Sequence, residues 1–88
     1  MTTVTIQYTT RYIKDFKKLS PSLQRAAAKR EEIFKKDPHS PELKTHKLSG
    51  KLQDFWAFSI THHDRILFRF ISQTQVIFYK IGSHDIYK

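Results

Sequence analysis

The 88-residue chain contains no cysteine, only two glycines and three prolines, and no long apolar run. Without cysteine, disulfides, thiolate metal sites and thiol nucleophiles are excluded. No segment approaches the roughly 18 uninterrupted apolar residues of a membrane-spanning helix, and the opening MTTVTIQYTT lacks the apolar stretch of a signal peptide. We therefore expect a cytoplasmic protein with no membrane partner, a compartment that suits a chain without cysteine.

Acidic residues are scarce beside basic ones, eight against sixteen, which gives a net charge of +8. Residues 1–43 hold nine basic and five acidic side chains, and residues 44–88 hold seven and three, so each part carries +4. The basic charge is thus spread over the chain and is not a detachable tail. This distribution indicates an anionic partner, either nucleic acid or an acidic protein segment. A surface that is lysine-rich only for solubility is the alternative.

Apolar residues are plentiful at 39%, and aromatic residues reach 14%. This composition predicts a packed core in a single domain, residues 1–88. Residues 4–8 alternate like a strand, whereas residues 9–19 and 20–36 have helical periodicity. Ser20-Pro21 suits the start of the second helix, and Asp37-Pro38 suits its end.

The second half of the chain predicts the sheet. Residues 37–54 have the composition of a loop, and residues 55–60, 65–71 and 76–82 alternate as three strands with short connections. The predicted fold class is α+β in the order β-α-α-β-β-β. It comprises an N-terminal strand, an antiparallel two-helix hairpin on one sheet face, and three antiparallel strands.

Charged residues on the last two strands suggest a basic groove. Arg65 and Arg69 lie on one side of their strand. Simple alternation on the last strand puts Lys80 on the same side as Val76 and Phe78. If the register allows, Arg65, Arg69 and Lys80 line one groove, and the apolar residues Leu67, Val76 and Phe78 share its face. A row of ordinary solvated charges is the alternative.

Three segments resemble the RelE/ParE superfamily of bacterial toxins, and most of all its RelE, YoeB and YafQ group of mRNA interferases. They are YTTRYIKDFKKL (residues 8–19), HKLSGKLQDFWAFSITHHDRILFRF (46–70) and VIFYKIGSHDIYK (76–88). The resemblance implies a RelE/ParE-like fold and a type II toxin that cleaves mRNA in the ribosomal A site without a cofactor. It also implies a cognate antitoxin as inhibitor, and contact with operator DNA only through the antitoxin complex. The superfamily contains gyrase-binding ParE toxins as well, so a gyrase poison and a degenerate antitoxin-binding module stay open as alternatives.

Metal-free RNA cleavage needs a base for the 2′-hydroxyl, an acid for the leaving 5′-oxygen and cations for the phosphate. The resemblance assigns the proton transfers to His84 and His46, since imidazole titrates near neutrality. It makes Asp64 a base or the residue that orients a histidine, although aspartate is also a common turn former. It makes Arg65 a phosphate clamp, the alternative being a surface ion pair with Asp64 or Asp54.

Further residues are implied to bind RNA, and some positions depart from the family pattern. The implied RNA-binding residues are Lys47, Lys51, His63, Arg69, Lys80 and Tyr87. YafQ-like proteins have another histidine near Ser59 or Ile60, whereas this chain has His62 and His63 in the turn that follows; we expect His63 to face the substrate. Glu42 falls near a catalytic glutamate of YoeB-like proteins. No metal site is expected, because the four histidines at 46, 62, 63 and 84 show no recognised ligand spacing.

Overall fold

The computed structural model describes residues 3–87, with the backbone alone at positions 84 and 85. This part of the chain forms two helices and five strands: β1 (Thr5–Tyr8), α1 (Thr10–Lys17), α2 (Pro21–Lys36), β2 (His46–Lys47), β3 (Trp56–Ser59), β4 (Arg65–Phe70) and β5 (Gln75–Gly82). Short 3₁₀ turns occupy Pro41–Leu43, Gly50–Leu52 and His84–Tyr87. The predicted α+β class is confirmed. None of the helices in residues 3–87 is long and apolar enough to span a membrane.

Both helices begin at the residues that their sequences indicate. The Thr9 side chain accepts a hydrogen bond from the Tyr12 backbone N–H at 3.0 Å, and Ser20 accepts from the Leu23 N–H at 3.2 Å. Each bond satisfies a donor that the first helical turn would otherwise leave unpaired. Pro21 occupies the first turn of α2, where its missing N–H is harmless.

The sheet is mixed, with the strand order β1-β5-β4-β3-β2. The three predicted C-terminal strands pair antiparallel, whereas β1 joins the edge of β5 in parallel. At the other edge, the two-residue strand β2 pairs antiparallel with β3 inside the segment predicted as a loop. Two residues are too few to show alternation, so sequence periodicity could not reveal β2.

The helices cover one face of the sheet and bury an aromatic core. Phe34 of α2 is fully buried at its centre. Its ring centroid lies 4.8 Å from that of Phe58, 4.9 Å from that of Phe68 and 5.3 Å from that of Phe78. Ring pairs at such distances stabilise a core beyond the area that they bury. The face that turns away from α1 and α2 is called the outer face below.

An irregularity in the β4–β5 ladder corrects the predicted side of Lys80. Leu67 pairs with Lys80 but Phe68 pairs with Phe78, so Tyr79 is an extra residue in β5. Such a bulge breaks the regular alternation of sides. Val76 and Phe78 are fully buried in the helix-side core, so the prediction that they share a face with Lys80 was wrong. Lys80 instead lies on the outer face with its partner Leu67.

Candidate functional site

The outer face collects the basic residues of the sheet. One cross-strand row runs His46, Ala57, Leu67, Lys80, and the neighbouring row runs Ser59, Arg65, Gly82. Arg69 is two residues beyond Leu67 in β4, so its side chain lies on the same face of the sheet as that of Arg65. Arg65, Arg69 and Lys80 therefore share one face, as the groove hypothesis required. Ala57 and Leu67 are buried between them, so the face has an apolar floor.

Arg65 also holds the turn that precedes it. Its Nη1 donates to the carbonyl oxygens of Thr61 at 2.9 Å, His62 at 3.0 Å and Asp64 at 3.2 Å. The ion pairs recorded within residues 3–87 lie on the helices, and none involves Arg65. Because the carbonyl bonds all use Nη1, the Nε and Nη2 donors stay available for a phosphate. The sequence did not indicate this structural role.

Asp64 closes the same turn. Its Oδ2 accepts from the Thr61 hydroxyl at 2.8 Å, and that hydroxyl oxygen accepts from the backbone N–H of Asp64 at 3.1 Å and of His63 at 3.2 Å. The Ile60 N–H donates to the Asp64 carbonyl oxygen at 2.9 Å. This geometry is that of a turn-forming aspartate. Thr61, which the sequence did not single out, is the residue that fixes the carboxylate.

A cleft at this end of the sheet, here called the Arg65 cleft, joins three segments that are distant in sequence. It has a volume of about 190 Å³ and is lined by Arg30, Glu42, Lys44, Ser59, Ile60, Thr61, His62 and Arg65. The Arg30 Nη1 donates to the Glu42 carbonyl oxygen at 2.7 Å and ties the Pro41–Leu43 turn to α2. The cleft thus brings together a carboxylate, an imidazole and three cations, the groups that proton transfer beside a phosphate requires.

The adjacent histidines at the tip of the turn differ in position. Both are exposed, and their ring centroids lie 5.0 Å apart at an interplanar angle of 79°. His62 lines the Arg65 cleft, whereas His63 is not among the lining residues. The geometry therefore brings His62 to the cleft, and the expected contact of His63 with the substrate stays a prediction.

His46 and the two lysines near it are not among the residues that line the cleft. His46 is exposed on the outer face at the edge strand, with Nδ1 3.1 Å from the Lys44 carbonyl oxygen. Lys47 pairs with Trp56, which packs on the helix side, so Lys47 points away from the outer face. Lys51 is exposed in the Gly50–Leu52 turn. The RNA-binding roles of these lysines stay predictions.

The side chain of His84 lies outside the described residues, but its backbone has a clear place. The turn His84–Tyr87 follows β5 after one residue, and Gly82, the last residue of β5, pairs with Arg65. Gly82 has φ +158°, and a Cβ there would lie 3.3 Å from Ile86 Cγ2, so glycine permits a close approach of this turn. His84 thus follows the sheet end that holds Arg65, and Tyr87 is half-buried three residues later.

Glu42 and Arg30 are residues whose importance the sequence understated. Arg30 occurs in the apolar stripe of α2 with Ala26, Ala27 and Ile33. A cation within an apolar stripe indicates that this part of the helix faces a polar cleft. Glu42 projects from a turn that Leu43, fully buried, pins to the core. No group of three or more metal-ligating side chains occurs among the residues that the structure describes.

No protein-family model and no curated protein matches the sequence. The matches are to solved structures. A chain of the RelBE2 toxin–antitoxin complex from Mycobacterium tuberculosis matches with a TM-score of 0.79 and 19% identity, covering 93% of this chain and 99% of that chain. This protein has the RelE-like toxin fold. YafQ from E. coli matches with a TM-score of 0.78 and 12% identity, covering 96% of this chain and 97% of the YafQ chain. A YoeB/ParE toxin from Agrobacterium tumefaciens matches with a TM-score of 0.77 and 16% identity, covering 92% of this chain and 99% of that chain. The fold implied by the resemblance is confirmed.

Proposed function

We propose that this chain is the toxin of a cytoplasmic type II toxin–antitoxin system and acts as a metal-independent, ribosome-dependent mRNA endoribonuclease. The observation that carries the proposal is the convergence of Glu42, His62 and Arg65 on one cleft of a RelE-like fold. A domain that only binds another protein has no need for such a set of proton-transfer groups. The net charge of +8 suits a nucleic-acid substrate.

The proposed reaction uses the substrate's own 2′-hydroxyl. The Glu42 carboxylate accepts the proton as the 2′-oxygen attacks phosphorus, and the P–O5′ bond breaks. His84 protonates the leaving 5′-oxygen, and the free donors of Arg65 neutralise charge on the phosphate. The products are a 2′,3′-cyclic phosphate and a 5′-hydroxyl. His62, which lines the cleft, and His46 are further proton-transfer candidates. Asp64 acts by holding the turn that carries Arg65.

The rest of the outer face binds the mRNA in this proposal. Arg69 and Lys80 contact phosphates that flank the cleavage position, with Lys51 contributing from its turn. Tyr87 stacks on a base. Each of these roles is inferred from charge, exposure and the side of the sheet, together with the resemblance.

The rate of mRNA cleavage on programmed ribosomes tests the proposal. We expect His84→Ala to lower the rate by about 100-fold, the usual scale for a lost acid or base. A matched control is His39→Ala, because the His39 ring packs against Trp56 and Phe70 away from the cleft. A fully active and equally stable His84→Ala variant would remove His84 from its role. Intact transcripts together with blocked DNA replication would favour a gyrase poison.

A cognate antitoxin is the proposed partner of the helical side. The RelBE2 structure contains such a toxin–antitoxin pair. In the present chain, a groove of about 280 Å³ is lined by Tyr8, Tyr12, Ile13, Phe16, Lys17 and Glu31. Tyr8 and Ile13 are 42% and 44% exposed and adjoin each other in this groove, and a contiguous apolar patch is typical of a protein-binding surface. Because the exposed cations Arg11 and Lys14 lie on α1 and the exposed Lys18 directly follows it, we propose an amphipathic antitoxin segment with acidic flanks.

The antitoxin proposal is tested by binding. The gene neighbourhood should contain a small acidic open reading frame, and its product should bind the purified chain. Ile13→Asp should weaken this complex at least tenfold in isothermal titration calorimetry, since it places a charge in the apolar groove. Ile71→Asp makes the same change at an exposed isoleucine outside the groove and should matter less. Equal losses in the two variants would move the antitoxin to another surface.

A further inference from the structure

The strands of the sheet carry basic side chains but no acidic ones. The strand residues that the structure describes include four lysines and arginines and no aspartate or glutamate. Three of these cations lie on the outer face: Arg65, Arg69 and Lys80. The carboxylates next to β3 and β4 in the sequence, Asp54 and Asp64, belong to the turns that precede these strands. The outer face therefore has the charge that suits a polyanion.

An aromatic pair lies among these cations. The ring centroids of Phe55 and Tyr79 are 4.9 Å apart at an interplanar angle of 82°, and both side chains are half-buried. Phe55 precedes Trp56, which packs on the helix side, so Phe55 faces outward. Continuing the β3–β4 register by one step puts it opposite Arg69. Because Tyr79 belongs to β5, the two rings meet across β4; they are called the outer ring pair below.

The β5 bulge gives the outer ring pair its position. Phe78 and Ile81 both belong to the helix-side core, so the two residues between them, Tyr79 and Lys80, both lie on the outer face. The Thr9 hydroxyl donates to the Tyr79 carbonyl oxygen at 2.8 Å and fixes the backbone at the bulge. The bulge therefore sets an aromatic ring and a cation side by side on the face that carries Arg65.

The outer ring pair also has a structural role. Leu67 is only 3% exposed, yet it is not part of the helix-side core cluster. It lies on the outer face where the two rings meet across β4, so the rings help to cover it. Both rings are nevertheless only half-buried, and part of each ring is accessible to a ligand.

We propose that the outer ring pair is a stacking platform for an mRNA base next to the scissile phosphate, in addition to the base assigned to Tyr87. This inference rests on the proposed nuclease function, which places that phosphate at Arg65. Leu67, beneath the pair, is two residues from Arg65 in β4, roughly 7 Å along the strand. The platform therefore lies next to the bound phosphate.

The geometry of the rings favours a base over an acidic peptide. Two nearly perpendicular rings form a corner in which a flat base can stack on one ring and meet the edge of the other. Accessible aromatic rings beside cations are typical of surfaces that bind single-stranded nucleic acid, and Arg69 and Lys80 provide the cations here. An acidic peptide would use the cations but would have no need for the aromatic corner.

The fluorescence of 2-aminopurine tests the platform, because stacking on an aromatic ring quenches this base analogue. Ribosomes are programmed with an mRNA whose A-site codon carries 2′-O-methyl groups, which prevent cleavage, and 2-aminopurine at each codon position in turn. The wild-type chain should quench the probe in at least one position. Tyr79→Leu and Phe55→Leu should lose most of the quenching and weaken binding about tenfold, the scale of one lost stacking contact. Tyr79→Phe should retain both.

The controls separate stacking from stability. Leucine at either position keeps Leu67 covered, and urea denaturation checks that each variant is folded. Phe70→Leu makes the same change at a half-buried ring on the helix side and should leave quenching and affinity unchanged. When an abasic residue replaces the probe, wild type and Tyr79→Leu should bind equally, because the sugar and phosphate are retained and only the base is lost.

The inference would be overturned by a wild-type chain that quenches no position, by equal losses in Phe70→Leu, or by equal weakening of Tyr79→Leu on the abasic mRNA. Unchanged RNA signals with weaker antitoxin binding in Tyr79→Leu would also overturn it and assign the pair to a protein partner. If wild type cleaves unmodified mRNA while Tyr79→Leu quenches as well as wild type, the platform fails and the nuclease stands. If ring-dependent quenching occurs without cleavage, the nuclease fails and the platform stands.

Discussion

The two faces of the sheet are built from alternate residues of the same strands, yet they have opposite chemistry. On the helix side, Phe58, Phe68 and Phe78 are fully buried around Phe34. On the outer face, Arg65, Arg69 and Lys80 stand around the buried Ala57 and Leu67. The helix side holds the fold together, and the outer face is left to vary in charge and hydrogen bonding. This division is how one small fold can carry different activities.

The largest effect should come from the helix side. Phe34→Ala removes the ring that contacts all three sheet phenylalanines and should lower the free energy of unfolding by about 3–5 kcal/mol. This is a large fraction of the stability of a small domain. Denaturation by urea measures it. Phe55→Ala, at a half-buried position whose ring contacts Tyr79, should destabilise less. Equal losses of unfolding free energy in the two variants would contradict the claim that the helix side holds the fold together.

Arg65→Lys tests the residue that both holds its turn and, in the proposed reaction, binds the phosphate. The substitution keeps the charge but removes the planar fork that bonds three carbonyl oxygens. We expect cleavage to fall about 100-fold and stability to fall by about 1–2 kcal/mol. Cleavage assays and urea denaturation report the two quantities. Arg69→Lys, at an exposed position, should leave the stability unchanged, and a similar loss there would contradict the special role of Arg65.

Thr61 should have a smaller effect that is confined to the turn. Thr61→Val removes a hydroxyl that makes three hydrogen bonds and should destabilise by about 1 kcal/mol. Thr61→Ser retains the hydroxyl and should restore most of the loss. Urea denaturation of the pair, together with the amide chemical shifts of residues 61–65, distinguishes them. Indistinguishable variants would show that Asp64 does not depend on this hydroxyl.

The smallest effect is expected in alkaline solution, on the helical side. Burial, followed by the hydrogen bond and charge of Glu31, raises the pKa of Tyr8. Burial, followed by the charge of Glu31, raises the pKa of Tyr12. Because the fold favours the neutral phenols, their stabilisation is complete below the ordinary pKa of about 10 and is lost as pH rises above it. The free energy of unfolding should fall less steeply above pH 10 in Tyr8→Phe/Tyr12→Phe. Parallel slopes would contradict this.

Local signals were enough for most of the fold. The Ser20-Pro21 start and Asp37-Pro38 end of the second helix, and the alternation of three strands, predicted elements that the structure has. The β5 bulge was not predictable, because an inserted residue leaves the local composition unchanged and only the pairing of Leu67 with Lys80 reveals it. The bulge nevertheless decides which residues line the outer face.

The candidate site was harder to predict than the fold, because its parts meet only in three dimensions. The sequence points to Glu42 only through the resemblance, and it places Arg30 only within the second predicted helix. Their meeting with Arg65 depends on how residues 37–44 turn back beside α2, where Arg30 donates to the Glu42 carbonyl oxygen. His63 and His62 are neighbours of one type, so no sequence pattern could choose between them. The role of His84 rests on the resemblance, with the backbone of its turn in a suitable place.

The central claim is that the Arg65 cleft cleaves mRNA through the substrate's own 2′-hydroxyl. The most direct measurement is the chemistry of the RNA ends after the purified chain acts on ribosomes carrying a defined mRNA. We predict 5′-hydroxyl ends matched to 2′,3′-cyclic phosphate ends, and their loss in the Arg65→Lys variant. Ends with 5′-phosphate and 3′-hydroxyl groups, or mRNA left intact by a folded protein, would contradict the account.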